Sequence, residues 1–372
     1  MAEHLRLAAP EDHLTALVTA LGAGIPMVPL PEDRDEAAAI EAMASPELPL
    51  EDPEAVVVLP TSGSTGSPKG VLLTTSAITA SATATHERLG GVGHWHLALP
   101  THHIAGLMVL ARAIHAGNDP ILTRSDLSRL KPVREERNYL SIVPTQLHRA
   151  LGQPAIIERL AQFDAVLVGG QRIDENVLAR ARAHDISVVT TYGMSETCGG
   201  CVYDGEPLRG VDPAIDEHGQ ITIAGPMLFR GYRGRSDLTR AALVEGRFQT
   251  QDRGTFENGR LRVSGRADSV VITGGVNVDL ASVEERAARA VPDGTIVILG
   301  LPDAEWGVRI VAATNSVVDL TTLRKRLSDL PKVSLPRELA RVDPLPETGP
   351  GKVDRMWLTE NWSDLDTEVV AS

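Results

Sequence analysis

From residue 54 onward, short runs of consecutive apolar residues alternate with longer stretches in which alanine and leucine mix with charged residues. AVVVLP (55–60), HLALP (96–100), YLSIVP (139–144), AVLVGG (165–170) and ISVVTTYG (186–193) are too short for helices, and their near-continuous apolar character predicts strands buried on both faces. SAITASATATHERLG, GLMVLARAIHAG, PTQLHRALG and DENVLARARAHD lie between them and have helical length and composition. The alternation predicts an α/β fold with a parallel sheet covered by helices on both sides.

The texture changes twice more. Beyond about residue 205, GQITIAGP and ENGRLRVSGR predict hairpins and a β-rich, mostly antiparallel subdomain. Near residue 268, VEERAARAV, TIVILGLP, VRIVAATN and LTTLRKRLSDL predict a small α+β domain. The expected division is a large N-terminal domain, 1–266, with layered, parallel-rich αβ sheets plus the β-rich subdomain, and a small C-terminal domain, 267–372. A chain of 372 residues has room for it.

A net charge of −13 leaves no basic field to gather nucleic acid, although a local cluster can still hold a small anion. The first residues, MAEHLRLAAPEDH, carry no basic segment followed by an apolar one, and no run approaches the roughly 18 apolar residues that cross a bilayer. The cytoplasm is the expected location, with no integral membrane segment. Cys198 and Cys201 stand in the order CGGC. A redox pair or half a zinc site is open to them, but no second ligand cluster at metal spacing accompanies them, and local packing is the simpler expectation.

Candidate chemistry begins with TSGSTGSPKG, directly after the first apolar run. Gly63, Gly66 and Gly70 let the backbone turn and aim N–H groups at an anion. Thr61, Ser62, Ser64 and Thr65 add hydroxyls, and Lys69 adds a mobile charge. Pro68 and Lys69 stand where a Walker A loop has its G-K-[ST] ending, so a P-loop NTPase is disfavoured. A plain Ser/Gly-rich loop is the competing reading.

YGMSET, Tyr192 to Thr197, follows another strand at the carboxyl end, where open parallel sheets bind ligands. Tyr192 can stack on a base, and Glu196 and Thr197 offer oxygens suited to Mg²⁺. Ser195 as a helix cap is the bland alternative. Gly169 and Gly170 permit close approach of a flat ring. Arg266 and Asp268 precede the pair Gly274-Gly275, which reads equally well as an exposed hairpin with a surface ion pair. Lys352 follows the Pro/Gly-rich LPETGPG and is by default a surface lysine. On the helix after LPTHHIAG, Met108, Arg112 and His115 share one stripe. Arg112 either runs along apolar surface to water or faces a ligand carboxylate bidentately.

Taken in order, TSGSTGSPKG, LPTHHIAG, YGMSET, QTQDRG, GRADSVVITGGVN and PETGPGK resemble the motifs of the adenylate-forming acyl-CoA synthetases, from about residue 55 to 356. The resemblance implies that a carboxylate attacks the α-phosphate of ATP, giving an acyl-adenylate and pyrophosphate, and that coenzyme A then takes the acyl group. It implies a glycine-rich loop with Thr65 and Lys69 on the β- and γ-phosphates, Glu196 on Mg²⁺, Thr197 on the α-phosphate, and Asp252 with Arg266 on the ribose. Gly169, Gly170, Gln171 and Tyr192 would line the adenine, with Gly193, Met194 and Ser195 beside nucleotide and acid. Lys352 would bridge the reacting carboxylate and phosphate oxygens. Asp268 would be the hinge of the small domain, and Gly274-Gly275 would face coenzyme A.

Within that family HHIAGLMVLARAIHAG, SIVPTQLHRAL, VGGQRI and QTQDRG are similar to the o-succinylbenzoate–CoA ligases of menaquinone biosynthesis. Thr250, Asp252, Arg253 and Gly254 give T-x-D-R-G where T-G-D is common elsewhere. The resemblance implies His103 at the substrate and Arg112, nine residues later, on the acid's retained aromatic carboxylate. One departure stands out: the glycine-rich loop begins at residue 61, earlier than in most relatives, which implies a shortened N-terminal region and a homodimer that covers the surface so exposed. A synthetase for another carboxylic acid, or a non-catalytic nucleotide-binding regulator, are the alternatives.

Overall fold

The computed structural model describes residues 5–61, 68–266, 270–349 and 352–370. Four of the predicted apolar runs form a single sheet. Its order is Glu206–Pro207, Gly199–Tyr203, Val188–Met194, Ala165–Val168, Asn138–Ile142, His94–Leu97 and Ile121–Leu122. From Val188–Met194 to Ile121–Leu122 every pairing is parallel, and Gly199–Tyr203 turns back antiparallel on Val188–Met194.

The alternation of side chains along these strands explains why both faces are covered. Leu140, Ile142, Val166 and Val168 pack with Leu147, Ile156, Leu160 and Ala181 from helices Pro144–Ala150, Pro154–Leu160 and Glu175–Ala183. Their neighbours Tyr139, Ala165 and Leu167 point the other way, onto Trp95 and onto Ala84, Val109 and Ala113 from helices Thr75–Leu89 and Ile104–Ala116. Those two helices stop where the sequence supplies glycine in the left-handed region, Gly90 (φ 87°) and Gly117 (φ 74°).

The AVVVLP strand does not join this sheet. Ala55–Thr61 sits in a second sheet of order Arg6–Ala8, Met27–Pro29, Ala55–Thr61, Lys69–Thr74 and Gly231–Tyr232. It is parallel to Met27–Pro29 and antiparallel to Lys69–Thr74. The loop between Thr61 and Lys69 is too short for the crossover that a parallel neighbour needs, so the chain reverses. The run GVLLT, not recognised from the sequence, is the returning strand. The β-rich segment is a third sheet, Asp212–Ile215, Gln220–Ala224, Arg247–Glu257 and Leu243–Val244, with Arg260–Arg266 on Arg247–Glu257.

By packing, the chain divides into a first unit, Met1–Ala214, Thr222–Thr250 and Phe256–Leu261, and a second, Ile215–Ile221, Gln251–Thr255 and Arg262–Ser372. In the second unit Ile296–Asp303 and Gly307–Thr314 pair antiparallel over their length, and Glu338–Arg341 joins Gly307–Thr314 in parallel. Ile296, Ile298, Ile310 and Ala312 pack under helices Leu280–Ala290 and Leu320–Arg326. Val297, Leu299, Val311 and Ala313 pack on the opposite face against Leu358 and Trp362. This is the α+β arrangement read from the sequence. Among the described residues no helix is long and apolar enough to cross a membrane.

Arg233 ties the first residues of the chain to the second sheet. Its Nε donates to Ala44 O (2.8 Å), Nη1 to Pro49 O (2.6 Å) and Glu51 Oε2 (3.1 Å), and Nη2 to Ser45 O (2.8 Å) and Leu48 O (2.9 Å). Every guanidinium N–H is used, and the side chain is buried. Gly70 makes room for it, since a Cβ there would lie 2.9 Å from Arg233 Cβ and 2.6 Å from Met43 Sδ. Arg233→Ala strands these carbonyls and a carboxylate at once. We expect it to lower the first unit's stability by about 3–5 kcal/mol in urea unfolding, whereas a loss below about 1 kcal/mol would show that the clamp is dispensable.

Candidate active site

Thr61 closes one strand and Lys69 opens the next, paired across the hairpin. Ser62, Gly63, Ser64, Thr65 and Gly66 lie outside the described residues, as does Asp268. At the base of the loop the Lys69 ammonium stands 5.9 Å from the centroid of the Tyr232 ring, and the Tyr232 hydroxyl donates to Glu196 Oε1 at 2.8 Å. Burial, reinforced by the Glu196 charge, pushes the Tyr232 phenol far above its ordinary pKa, so it remains a donor at any physiological pH. A lysine, a carboxylate and a phenol thus meet where the sequence places a phosphate loop. Tyr232 was missed in the sequence because its place depends on Gly231–Tyr232 pairing with Lys69–Thr74, a contact remote along the chain.

Glu196 sits in the one-turn 3₁₀ helix Ser195–Thr197, which links Val188–Met194 to Gly199–Tyr203. The turn is tight enough to require glycine: a Cβ on Gly193 would lie 2.1 Å from Gly199 O. Thr197 ends this turn. Its side chain is fully buried, and its hydroxyl bonds Gly199 O (2.7 Å), Met194 O (3.1 Å) and Met194 N (2.9 Å). These bonds tie the turn together. Ser195 is buried beside it, and Met194 ends the strand. Cys198 and Cys201 are buried free thiols, Cys201 pushed up to about 12 by burial, so both are packing groups at neutral pH.

The residues expected from the sequence to line an adenine are brought together by the parallel pairing. Val168 pairs with Thr190, so Gly169, Gly170 and Gln171 leave one strand next to where Tyr192 stands on its neighbour. A Cβ on Gly169 would lie 2.1 Å from Thr191 Oγ1, and Gly170 has φ 82°.

Of the residues expected at the acid, His103 caps helix Ile104–Ala116, its ring 4.1 Å from that of His102. His13, on helix His13–Ala23, hydrogen-bonds Thr101 Oγ1 through Nδ1 and Ala8 O through Nε2 (3.1 Å). Arg112 is 4% exposed and does not reach along the surface to water. Its guanidinium lies 4.9 Å from the Trp95 ring centroid, Nη2 makes a long 3.5 Å bond to the Tyr203 hydroxyl, and Nε has no protein partner. Among the described residues no carboxylate forms an ion pair with it. It faces Gly199, where a Cβ would stand 3.8 Å from Nη2.

The remaining candidates belong to the second unit. Asp252 is half-buried on Arg247–Glu257, and Arg266 ends Arg260–Arg266. Gly274 (φ 55°) and Gly275 (φ 79°) join Val270–Thr273 to Val276–Asp279 with the paired positive φ that a type I′ hairpin demands. A Cβ on Gly274 would strike the Trp306 ring at 2.9 Å. Lys352 opens the short strand Lys352–Val353, opposite Gly349.

Four histidines of the first unit are held neutral chiefly by burial. His86 and His102 are lowered to about 4, and His13 and His96 are lowered as well. The unfolded chain protonates them near 6.5 while the native fold resists, so the unfolded state binds more protons between the two values. Stability is therefore full above about pH 7 and falls as pH drops from 6.5 toward 4. Urea midpoints between pH 7.5 and 4.5 test this, and a flat profile down to pH 5 would contradict it.

The AMP-binding enzyme pattern matches residues 8–233. The chain is 43% identical over 331 residues to a probable 2-succinylbenzoate–CoA ligase of Mycobacterium tuberculosis, covering 84% of this chain and 86% of that one. It is 28% identical over 327 residues to the 2-succinylbenzoate–CoA ligase of Listeria monocytogenes, covering 82% and 70%. Its fold is similar to unliganded o-succinylbenzoate coenzyme A synthetase (MenE) of Bacillus subtilis, with a TM-score of 0.75 at 21% identity over 91% of this chain and 88% of that one. The same enzyme in complex with the acyl-adenylate intermediate OSB-AMP matches with a TM-score of 0.73 at 24% identity, covering 95% and 82%. With the ordered motifs and the converging strand ends, these similarities lead to one conclusion: the chain belongs to the AMP-binding enzyme family.

Proposed function

We propose that the chain is a 2-succinylbenzoate–CoA ligase that works in menaquinone biosynthesis, in the cytoplasm. The observation that carries this reading is Arg112, a buried guanidinium whose Nε lacks any protein acceptor and which faces the Glu196 turn region at Gly199. Such a group is costly unless a ligand anion completes it. An acid with a second, unreactive carboxylate does so, and the 43% identical relative bears the name of a ligase for that kind of acid.

In the first half-reaction an oxygen of the succinyl carboxylate bonds to the α-phosphorus of ATP, and the bond to the bridging β-phosphate oxygen breaks, releasing pyrophosphate. Both partners are anions, so the chain's task is to position them and offset their charge. Lys69 lies at the loop that receives the β- and γ-phosphates. Glu196 fits Mg²⁺, being a hard oxygen donor oriented by the Tyr232 hydroxyl; the ion, when bound, neutralises phosphate charge. Lys352, brought by a small domain of residues 267–372 turning at Asp268, steadies the charge that builds between carboxylate and phosphate. In the second half-reaction the coenzyme A sulfur bonds to the acyl carbon, the carbon–oxygen bond to AMP breaks, and the thiol proton leaves to solvent. Gly274 and Gly275 belong to the coenzyme A side of this proposal, Asp252 and Arg266 to the ribose, and His103 to the acid.

Two substitutions separate these roles. Arg112→Ala should raise KM for 2-succinylbenzoate by roughly 10- to 100-fold, the loss of one charge-assisted bond, and leave KM for ATP nearly unchanged. Lys352→Ala should abolish acid-dependent pyrophosphate–ATP exchange yet spare thioester formation from supplied acyl-adenylate. An unchanged acid KM rejects the Arg112 role, and loss of both half-reactions rejects that of Lys352.

A homodimer is part of the same proposal. Apolar side chains such as Val18 (49% exposed) and Leu122 (73%) supply surface for it. Sedimentation at micromolar concentration should find the dimer, and a monomer would refute it.

A further inference from the structure

Behind Arg112 the first unit holds a row of side chains that the reaction does not use. The Trp95 indole Nε1–H donates to His86 Nε2 at 2.9 Å. His86 Nδ1 lies 3.1 Å from His115 Nδ1, and His115 Nε2 lies 3.0 Å from Thr83 Oγ1. Trp95 is fully buried and His86 nearly so, whereas His115 is exposed, so the row runs from solvent to the underside of the guanidinium.

The donor inventory fixes every proton in the row. An indole nitrogen can only donate, so His86 Nε2 must carry a lone pair and its proton sits on Nδ1. That proton points at His115 Nδ1, which must accept, leaving the His115 proton on Nε2 toward the Thr83 hydroxyl. A second proton on either ring would set two donors face to face. Burial, with His115 and Arg112 nearby, works in the same direction, holding His86 neutral down to about pH 4. The groups facing this pair are Trp95 from strand His94–Leu97, Arg112 from helix Ile104–Ala116, and Thr83 from helix Thr75–Leu89.

Arg112 has little else to fix it. Its Nε is unpartnered, its bond to the Tyr203 hydroxyl is long at 3.5 Å, and its close neighbour is the Trp95 ring at 4.9 Å. That hydroxyl is itself tied to Thr85 Oγ1 at 3.1 Å, and Tyr139 packs on Trp95 with ring centroids 5.1 Å apart. The angle of the indole therefore sets the plane on which the guanidinium rests.

We propose that His86 and His115 form a neutral, tautomer-locked pair that holds Trp95 beneath Arg112, and that these positioning residues set the preference for an acid carrying a second carboxylate. The inference rests on the reading that Arg112 meets that carboxylate. A guanidinium free to rock on its ring loses bidentate geometry toward a planar anion, which lowers affinity for the dicarboxylate and leaves the reacting end of the acid untouched.

The test compares 2-succinylbenzoate with 4-oxo-4-phenylbutanoate, the same acid without its ring carboxylate, in pyrophosphate–ATP exchange. His86→Leu removes the acceptor for Trp95, and His86→Gln restores one. Trp95→Phe keeps a ring and deletes the donor. We expect His86→Leu to raise KM for the dicarboxylate about 10-fold while KM for the monocarboxylate and for ATP stays within about twofold. His86→Gln should return the dicarboxylate KM to within about threefold of wild type, and Trp95→Phe should shift it in the direction of His86→Leu. Should His86→Leu fail to fold, Trp95→Phe and His86→Gln carry the comparison. Equal changes for both acids, or none for either, overturn the inference while leaving Arg112 its role. A wild-type enzyme with no preference for the dicarboxylate overturns the Arg112 reading itself.

Discussion

The proposed chemistry turns on a buried positive charge whose Nε has no acceptor in the protein. Two arginines of the first unit are almost equally buried, Arg233 at 5% and Arg112 at 4% exposed, and they meet opposite fates. Arg233 spends all its donors on carbonyls and a carboxylate of its own chain, which makes it a structural clamp. Arg112 has an aromatic face, a long bond to a phenol and an Nε with no acceptor. A cation over a desolvated indole is stabilised by about 2 kcal/mol, well short of the several kcal/mol that burial costs an unpaired ion. The difference is available to a ligand that brings the missing anion.

The rest of the site handles negative charge at the other end of the acid. Lys69 and Glu196 share Tyr232 as a neighbour, the ammonium near its ring and the carboxylate accepting from its hydroxyl. The 3₁₀ turn Ser195–Thr197 lies between the two groups: Glu196 accepts from the Tyr232 hydroxyl, and Gly199 faces Arg112. Thr197, with its hydroxyl engaged inside the turn, keeps the distance between them fixed.

Much of this was legible in the sequence where local pattern decides the outcome. Continuous apolar runs gave the parallel strands because those strands are buried on both faces, and the hairpin at Gly274-Gly275, weighed as the bland reading of that segment, is present. The stripe carrying Met108 and Arg112 was visible from helical spacing, but whether Arg112 reached water was not, since that depends on Trp95 and Tyr203 from other elements. Trp95 itself was lost at the edge of a strand read as starting one residue later. Tyr232 and Arg233, in the irregular FRGYRGR, carry no periodicity, and their roles exist only through contacts far along the chain. The AVVVLP strand was recognised but assigned to the wrong sheet, because pairing partners are set by loop length and tertiary packing rather than by the strand's own residues.

The most direct test is a crystal structure of the full chain with 2-succinylbenzoate and a non-hydrolysable ATP analogue. The account predicts the ring carboxylate within hydrogen-bonding distance of Arg112 Nε and a terminal nitrogen, over the Trp95 ring. A bound acid whose ring carboxylate lies elsewhere, with Arg112 Nε still unpartnered, would contradict it.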